Sequence, residues 1–228
     1  LYFKARAHGH VYGIEARAEL VERSRELAAR LGFARMSFLA IRVAEATQSS
    51  ALPGRIDVAT ALHACDTATD DAIAFGLAKQ ARAIVLVPCC QAEVARVLNL
   101  GKAASLSRTP LAELWRHPLH TREMGSQITN VLRCMLLESH GYQVTVTELV
   151  GWEHSMKNEL IIATYKNLPR QRAALRERLP RRHRGPRPDH RRVVAGHVAD
   201  GERDDPRGGA HRSEPAALDG RQVLAHAV

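Results

Sequence analysis

Two hydrophobic rhythms alternate along the first 166 residues: short apolar runs, and apolar positions at helical spacing. His10-Val-Tyr-Gly-Ile-Glu15 reads as a short strand ending in an acid. Leu20, Val21, Leu27, Ala28 and Leu31 follow at helical spacing, and Gly32 stops that helix. Met36 to Val43 is the next strand, and Ser49 to Gly54 is a loop by composition. The apolar run Ile56 to Leu62 predicts a buried strand, followed by a polar turn and an Ala-rich helix over Ala72 to Gln80. The same unit then repeats as strand Ala83 to Val87, turn Pro88-Cys-Cys-Gln91 and a helix to Leu100. Gly101 to Arg122 is a polar connection. Gln127 to His140 is helical and capped by Gly141. Tyr142 to Val150 alternates as a strand, and Asn158 to Lys166 is the last one.

Strands alternating with helices predict an α/β fold with a doubly wound, mostly parallel sheet. The last two strands are joined only by Gly151 to Lys157, too short for a crossover, so they are expected to pair antiparallel. Leu1 to His8 reads as the end of a helix with no strand before it, so the sheet is expected to lack its first strand. The domain is expected to span 1–168. From Pro169 onward Arg, Pro, Gly, Ala, His and Asp dominate, and such a segment buries too little apolar surface to offset its ordering entropy. Residues 169–228 therefore read as an unstructured tail, with Gln171 to Leu179 as a short helical continuation. The tail could also be an Arg-rich nucleic-acid arm or an out-of-frame translation of GC-rich coding sequence; its residue palette favours the latter.

Charge follows the same division. The formal net charge is +9. The tail holds fourteen Arg and eight acids, or +6, which leaves +3 for the first 168 residues. A domain at +3 is weak evidence for a nucleic-acid partner. The four cysteines are Cys65, Cys89, Cys90 and Cys134. No secretory leader precedes them and no apolar run is long enough to span a bilayer, so a reduced, cytoplasmic protein without a membrane partner is expected.

In an open α/β sheet, the turns at the carboxyl ends of the strands bind ligands. His63-Ala-Cys-Asp-Thr-Ala-Thr-Asp70 and Pro88-Cys-Cys-Gln91 are two such turns on consecutive strands. His63 could orient an acceptor, act as a base or cap its turn. Asp66 reads as a helix N-cap, and Asp70 and Asp71 complement the helix N-terminus. His63, Cys65, Cys89 and Cys90 make four zinc-type donors, but paired C-x-x-C spacing is missing, so packed, inert thiols are the expected reading and no metal is assigned. Glu15 ends its strand where an acid accepts ribose hydroxyls, or alternatively favours the next helix N-terminus.

His63 to Asp70, Pro88 to Gln91 and Glu153-His-Ser-Met-Lys-Asn158, in that order, resemble three signature blocks of class I S-adenosylmethionine-dependent methyltransferase domains. The subgroup with a "HACDTATD … PCCH … EHTPKN" pattern, related to methyltransferase-like 25 proteins, is the most similar in appearance. The likeness runs from about Tyr2 to Lys166. It implies a Rossmann-like sheet of seven strands, the last antiparallel, with S-adenosylmethionine as cofactor. It further implies Glu15 on the ribose, Ile41 and Arg42 near the adenine, and His63, Ala64 and Cys65 beside the cofactor. His63 is the candidate catalytic base or orienting group, and Asn158, with Lys157, stands by the acceptor pocket. RNA is the acceptor class that the resemblance suggests. Two features depart from the pattern. The Gly-rich loop that follows the first strand is absent, which predicts weak or no cofactor binding by this chain, and Gln91 stands where His is usual. A catalytically silent remnant or interaction module is therefore the alternative reading, and a thiol or zinc domain is a third.

Overall fold

The computed structural model describes residues 8–62, 64, 67–88, 113, 117–150, 159–168 and, by backbone, 223–227. Its strands are β1 (His10–Glu15), β2 (Met36–Ala40), β3 (Val58–Leu62), β4 (Ala83–Val87), β5 (Tyr142–Glu148), β6 (Glu159–Tyr165) and β7 (Val223–Ala227). Its helices are α1 (Ala18–Arg30), α2 (Val43–Ala46), α3 (Thr67–Ala78) and α4 (Pro118–Ser139). The seven strands form one sheet in the order β2-β1-β7-β3-β4-β6-β5. Pairing is parallel from β2 through β4, whereas β6 runs antiparallel to both β4 and β5. The expected α/β sheet with a terminal antiparallel hairpin is thus observed.

Burial explains the run-type strands. Ile14, Ile56, Ile73, Ile84, Leu86, Leu137 and Ile161 are almost completely buried and belong to one core on the sheet faces. Strands covered on both faces read as continuous apolar runs, which is why β3, β4 and β6 were legible. Edge strand β5 is different: from Thr145 to Glu148 it is exposed, and its pattern alternates. Tyr142 pins its start to the sheet, its hydroxyl donating to the Ala81 carbonyl at 2.6 Å. Helix α3 lies close on β4 because Gly76 has no side chain. A Cβ there would stand 2.8 Å from Ile84 Cδ1 and 3.0 Å from Ile84 Cγ1.

Several expectations need correction. Helix α3 starts at Thr67 rather than Ala72, and α4 starts at Pro118, inside the expected connection, rather than at Gln127. Proline is tolerated at the first position of a helix, where its missing N–H would have had no intrahelical partner. Strand β2 stops at Ala40, and Val43–Ala46 is a short helix. The largest difference concerns the tail. Residues 223–227 are not outside the fold: β7 pairs in parallel with β1 on one side and β3 on the other. The central position, expected to be empty for lack of a first strand, is filled from the opposite end of the sequence. Without that strand, the facing edges of β1 and β3 would leave ladder N–H and C=O groups unpaired.

Candidate functional site

The registers align the carboxyl ends of the parallel strands. Glu15 pairs with Ala40, Ile14 with Ala227, Ala61 with Ala227, and Leu62 with Val87. Because β6 is reversed, its first residue, Glu159, arrives at this same edge beyond β4. At a strand spacing of about 4.8 Å, β1 and β3, with β7 between them, are about 10 Å apart. The ends of β2, β1, β7 and β3 therefore carry Ile41, Glu15 and Ala64 along one short rim.

Glu15 is the best-defined group on it. Its side chain is 13% exposed, and Arg17 holds both carboxylate oxygens. The Arg17 backbone N–H and Nε donate to Oε1 at 2.9 and 3.0 Å, and Nη2 donates to Oε2 at 3.1 Å. The hydrogen bond from the Arg17 side chain outweighs burial and holds the Glu15 carboxyl below the usual carboxylate range. The group is thus a fixed anion near neutral pH. Two carboxylate oxygens offer about four lone-pair sites and Arg17 takes three, so about one remains to accept a hydroxyl.

Ile41 is partly buried and packs on the core. Arg42 is the N-cap of α2, with its backbone N–H donating to Glu45 Oε2 at 3.4 Å. Ala64 is only 4% exposed, and its carbonyl accepts from Thr69 Oγ1 at 2.6 Å. That bond closes the turn from β3 into α3, and it makes Thr69 a structural member of the first sequence block. His63, Cys65, Asp66, Cys89, Cys90, Gln91, Lys157 and Asn158 lie outside the described residues. Among the described residues, no three His, Cys, Asp or Glu side chains converge on a metal-sized site, and no helix is long and apolar enough to cross a membrane.

A polar network that the pattern of residues did not suggest lies farther along the rim. Arg133 of α4 is 3% exposed. Its Nε and Nη2 donate to Asp70 Oδ1 and Oδ2, both at 2.8 Å, and its Nη1 donates to Asn130 Oδ1 at 3.2 Å. Asn130 Nδ2 in turn donates to Glu159 Oε2 at 2.6 Å. Asp70 does stand in the first turn of α3, as expected, but its main partner is this guanidinium from 63 residues away. Asp71, beside it, has its carboxyl pushed up by burial and by the neighbouring Asp70 charge. A local pattern could not reveal such a pairing, although a helix carrying Asn130 and Arg133 among apolar positions is a weak hint of it.

The described residues also form an open groove of about 540 Å³ between α1 and β2, lined by Arg25, Ala28, Phe33, Met36 and Phe38 among others. It includes the α1–β2 turn, at the amino edge of the sheet, and holds none of the candidate site residues.

Residues 1–97 of the chain match the family described as a methyltransferase domain. That stretch contains β1 to β4 and the rim from Glu15 to Pro88. No curated protein matches the chain.

Proposed function

We propose that this chain is a class I methyltransferase-type domain whose carboxyl rim receives S-adenosylmethionine and directs its methyl group to a nucleophile. The match of residues 1–97 to a methyltransferase domain supports methyl transfer as the chemistry. The carrying observation is the placement of an ionised, largely shielded Glu15 at the end of β1, whose β2 partner Ala40 is followed by the apolar Ile41. An acceptor-only carboxylate suits a ribose hydroxyl donor, and an apolar neighbour suits the flat face of a base. These residues fit the nucleoside half of the cofactor. When bound, the cofactor supplies an electrophilic methyl on a sulfonium.

The chain's own contribution is mostly placement. Glu15 orients the nucleoside. In sequence, His63 stands between Leu62, the last residue of β3, and Ala64, whose carbonyl accepts from Thr69. His63 accepts the acceptor's proton where the acceptor is an O–H or N–H, or orients it by a hydrogen bond. Asn158 precedes Glu159 and is assigned to the acceptor side. RNA is the first acceptor class to assay, on the strength of resemblance alone.

A second reading is favoured by one observation. Arg17 already satisfies both oxygens of Glu15, as an internally neutralised acid in a cofactor-free interaction module would be. Two variants separate the readings. Glu15→Ala should weaken S-adenosylmethionine binding by roughly 1.5–3 kcal/mol, the range for a hydrogen bond to a charged group. His63→Ala should lower single-turnover methyl transfer more than affinity. No S-adenosylmethionine binding by the parent chain would favour the interaction module, and binding unchanged by Glu15→Ala would remove Glu15 from the cofactor site.

A further inference from the structure

We propose that Arg133 is a positioning residue that couples the cofactor side of the rim to its acceptor side. The inference rests on the methyltransferase reading for what the rim does, but the coupling itself rests only on the network. All three nitrogens of the Arg133 guanidinium donate: two to Asp70, the eighth residue of the block that begins at His63, and one to Asn130. Asn130 passes the link to Glu159, which directly follows Asn158 in sequence. Donors and acceptors match throughout, since the Asn130 carbonyl accepts from Arg133 while its amide donates to a carboxylate. Arg133, through Asn130 on the same helix, therefore links the first turn of α3 to the first residue of β6, the two elements that follow in sequence the blocks holding His63 and Asn158.

The chemistry of the brace argues for geometric precision. A guanidinium presents a planar fork, so its bidentate grip on Asp70 fixes direction as well as distance, which a lysine ammonium would not do. Arg133 is buried but the Asp70 side chain is 46% exposed, so solvent screens the ion pair on one side and it is a poor source of net stability. Registry between the two rim segments is what this arrangement adds.

The test is peptide-resolved hydrogen exchange on the full chain, with Asp70→Asn as the principal variant, read beside its melting temperature. Asp70→Asn should raise exchange in the peptide spanning 153–160 by at least about fivefold, although Asp70 lies on another element, while peptides from β1 and β2 stay unchanged. A change confined to 63–72 would overturn the coupling. If Asp70→Asn loosens every peptide, Glu159→Gln is read instead: increased exchange at 63–72 supports the brace, and a purely local change refutes it. Arg133→Lys should raise exchange at both segments, and wild-type exchange at both would also refute the role of the fork. S-adenosylmethionine titration of the wild-type chain runs alongside. Absence of binding there would count against the methyltransferase reading and leave the brace standing, whereas binding without long-range coupling would remove the brace alone.

Discussion

Replacing Gly76 by alanine sets two well-understood effects against each other. In a helix interior alanine is favoured over glycine by about 0.8–1 kcal/mol. Here the new methyl would meet Ile84 Cδ1 at 2.8 Å, Ile84 Cγ1 at 3.0 Å and Ala59 Cβ at 3.3 Å. Ile84 is fully buried and Ala59 is 4% exposed, so neither has free volume into which to retreat. Overpacking of a filled core costs about 1–3 kcal/mol. The steric term should therefore win, with a net loss of about 1 kcal/mol and a fall in melting temperature of roughly 2–4 °C for a domain of this size. Thermal unfolding followed by circular dichroism measures it. The contact can be assigned by a double-mutant cycle with Ile84→Val, which removes the nearer carbon and alone costs about 0.5–1.5 kcal/mol. The double variant should lose less than the sum of the singles. A rise in melting temperature on Gly76→Ala, or strict additivity in the cycle, would refute the close approach of α3 to β4.

Other perturbations probe different layers. Burial, reinforced by Glu159 and Glu138, pushes the Cys134 thiol up to about 11. Alkylation of Cys134 by iodoacetamide, followed by peptide mass spectrometry, should therefore stay slow at pH 8 and accelerate only towards pH 11. The same shift carries a stability sign: the folded state favours the neutral thiol, so its contribution is complete below the ordinary thiol value of 9.0 and is lost as pH rises through about 11. Ala225→Pro removes a backbone donor in the central strand β7, and should destabilise the fold by about 3 kcal/mol, measured by urea unfolding. A neutral result there would mean that β7 does not complete the sheet.

The parts of this fold that were legible in the sequence are those decided by nearby residues. The apolar runs of β3 and β4, the helical spacing of α1 and the short link that forces β5 and β6 antiparallel all express local rules. What escaped was decided at long range. Val223–Ala227 is five residues long, follows an Arg- and Pro-rich stretch and has no periodicity to mark it; only two waiting edges, β1 and β3, make it a strand. The start of α4 was missed because Pro118 and the polar residues after it resemble a loop until the helix they open is seen. At the site, Glu15 could be singled out because it ends a strand. Its clamp by Arg17, and the pairing of Asp70 with Arg133, depend on where side chains meet after folding.

The central claim is that a methyl-donor nucleoside seats on the carboxyl rim beside Glu15. Hydrogen exchange of the full chain with millimolar S-adenosylmethionine tests it most directly. The account predicts protection concentrated at residues 13–17 and 40–42 and abolished by Glu15→Ala. Protection in the groove between α1 and β2, or none at any peptide, would contradict it.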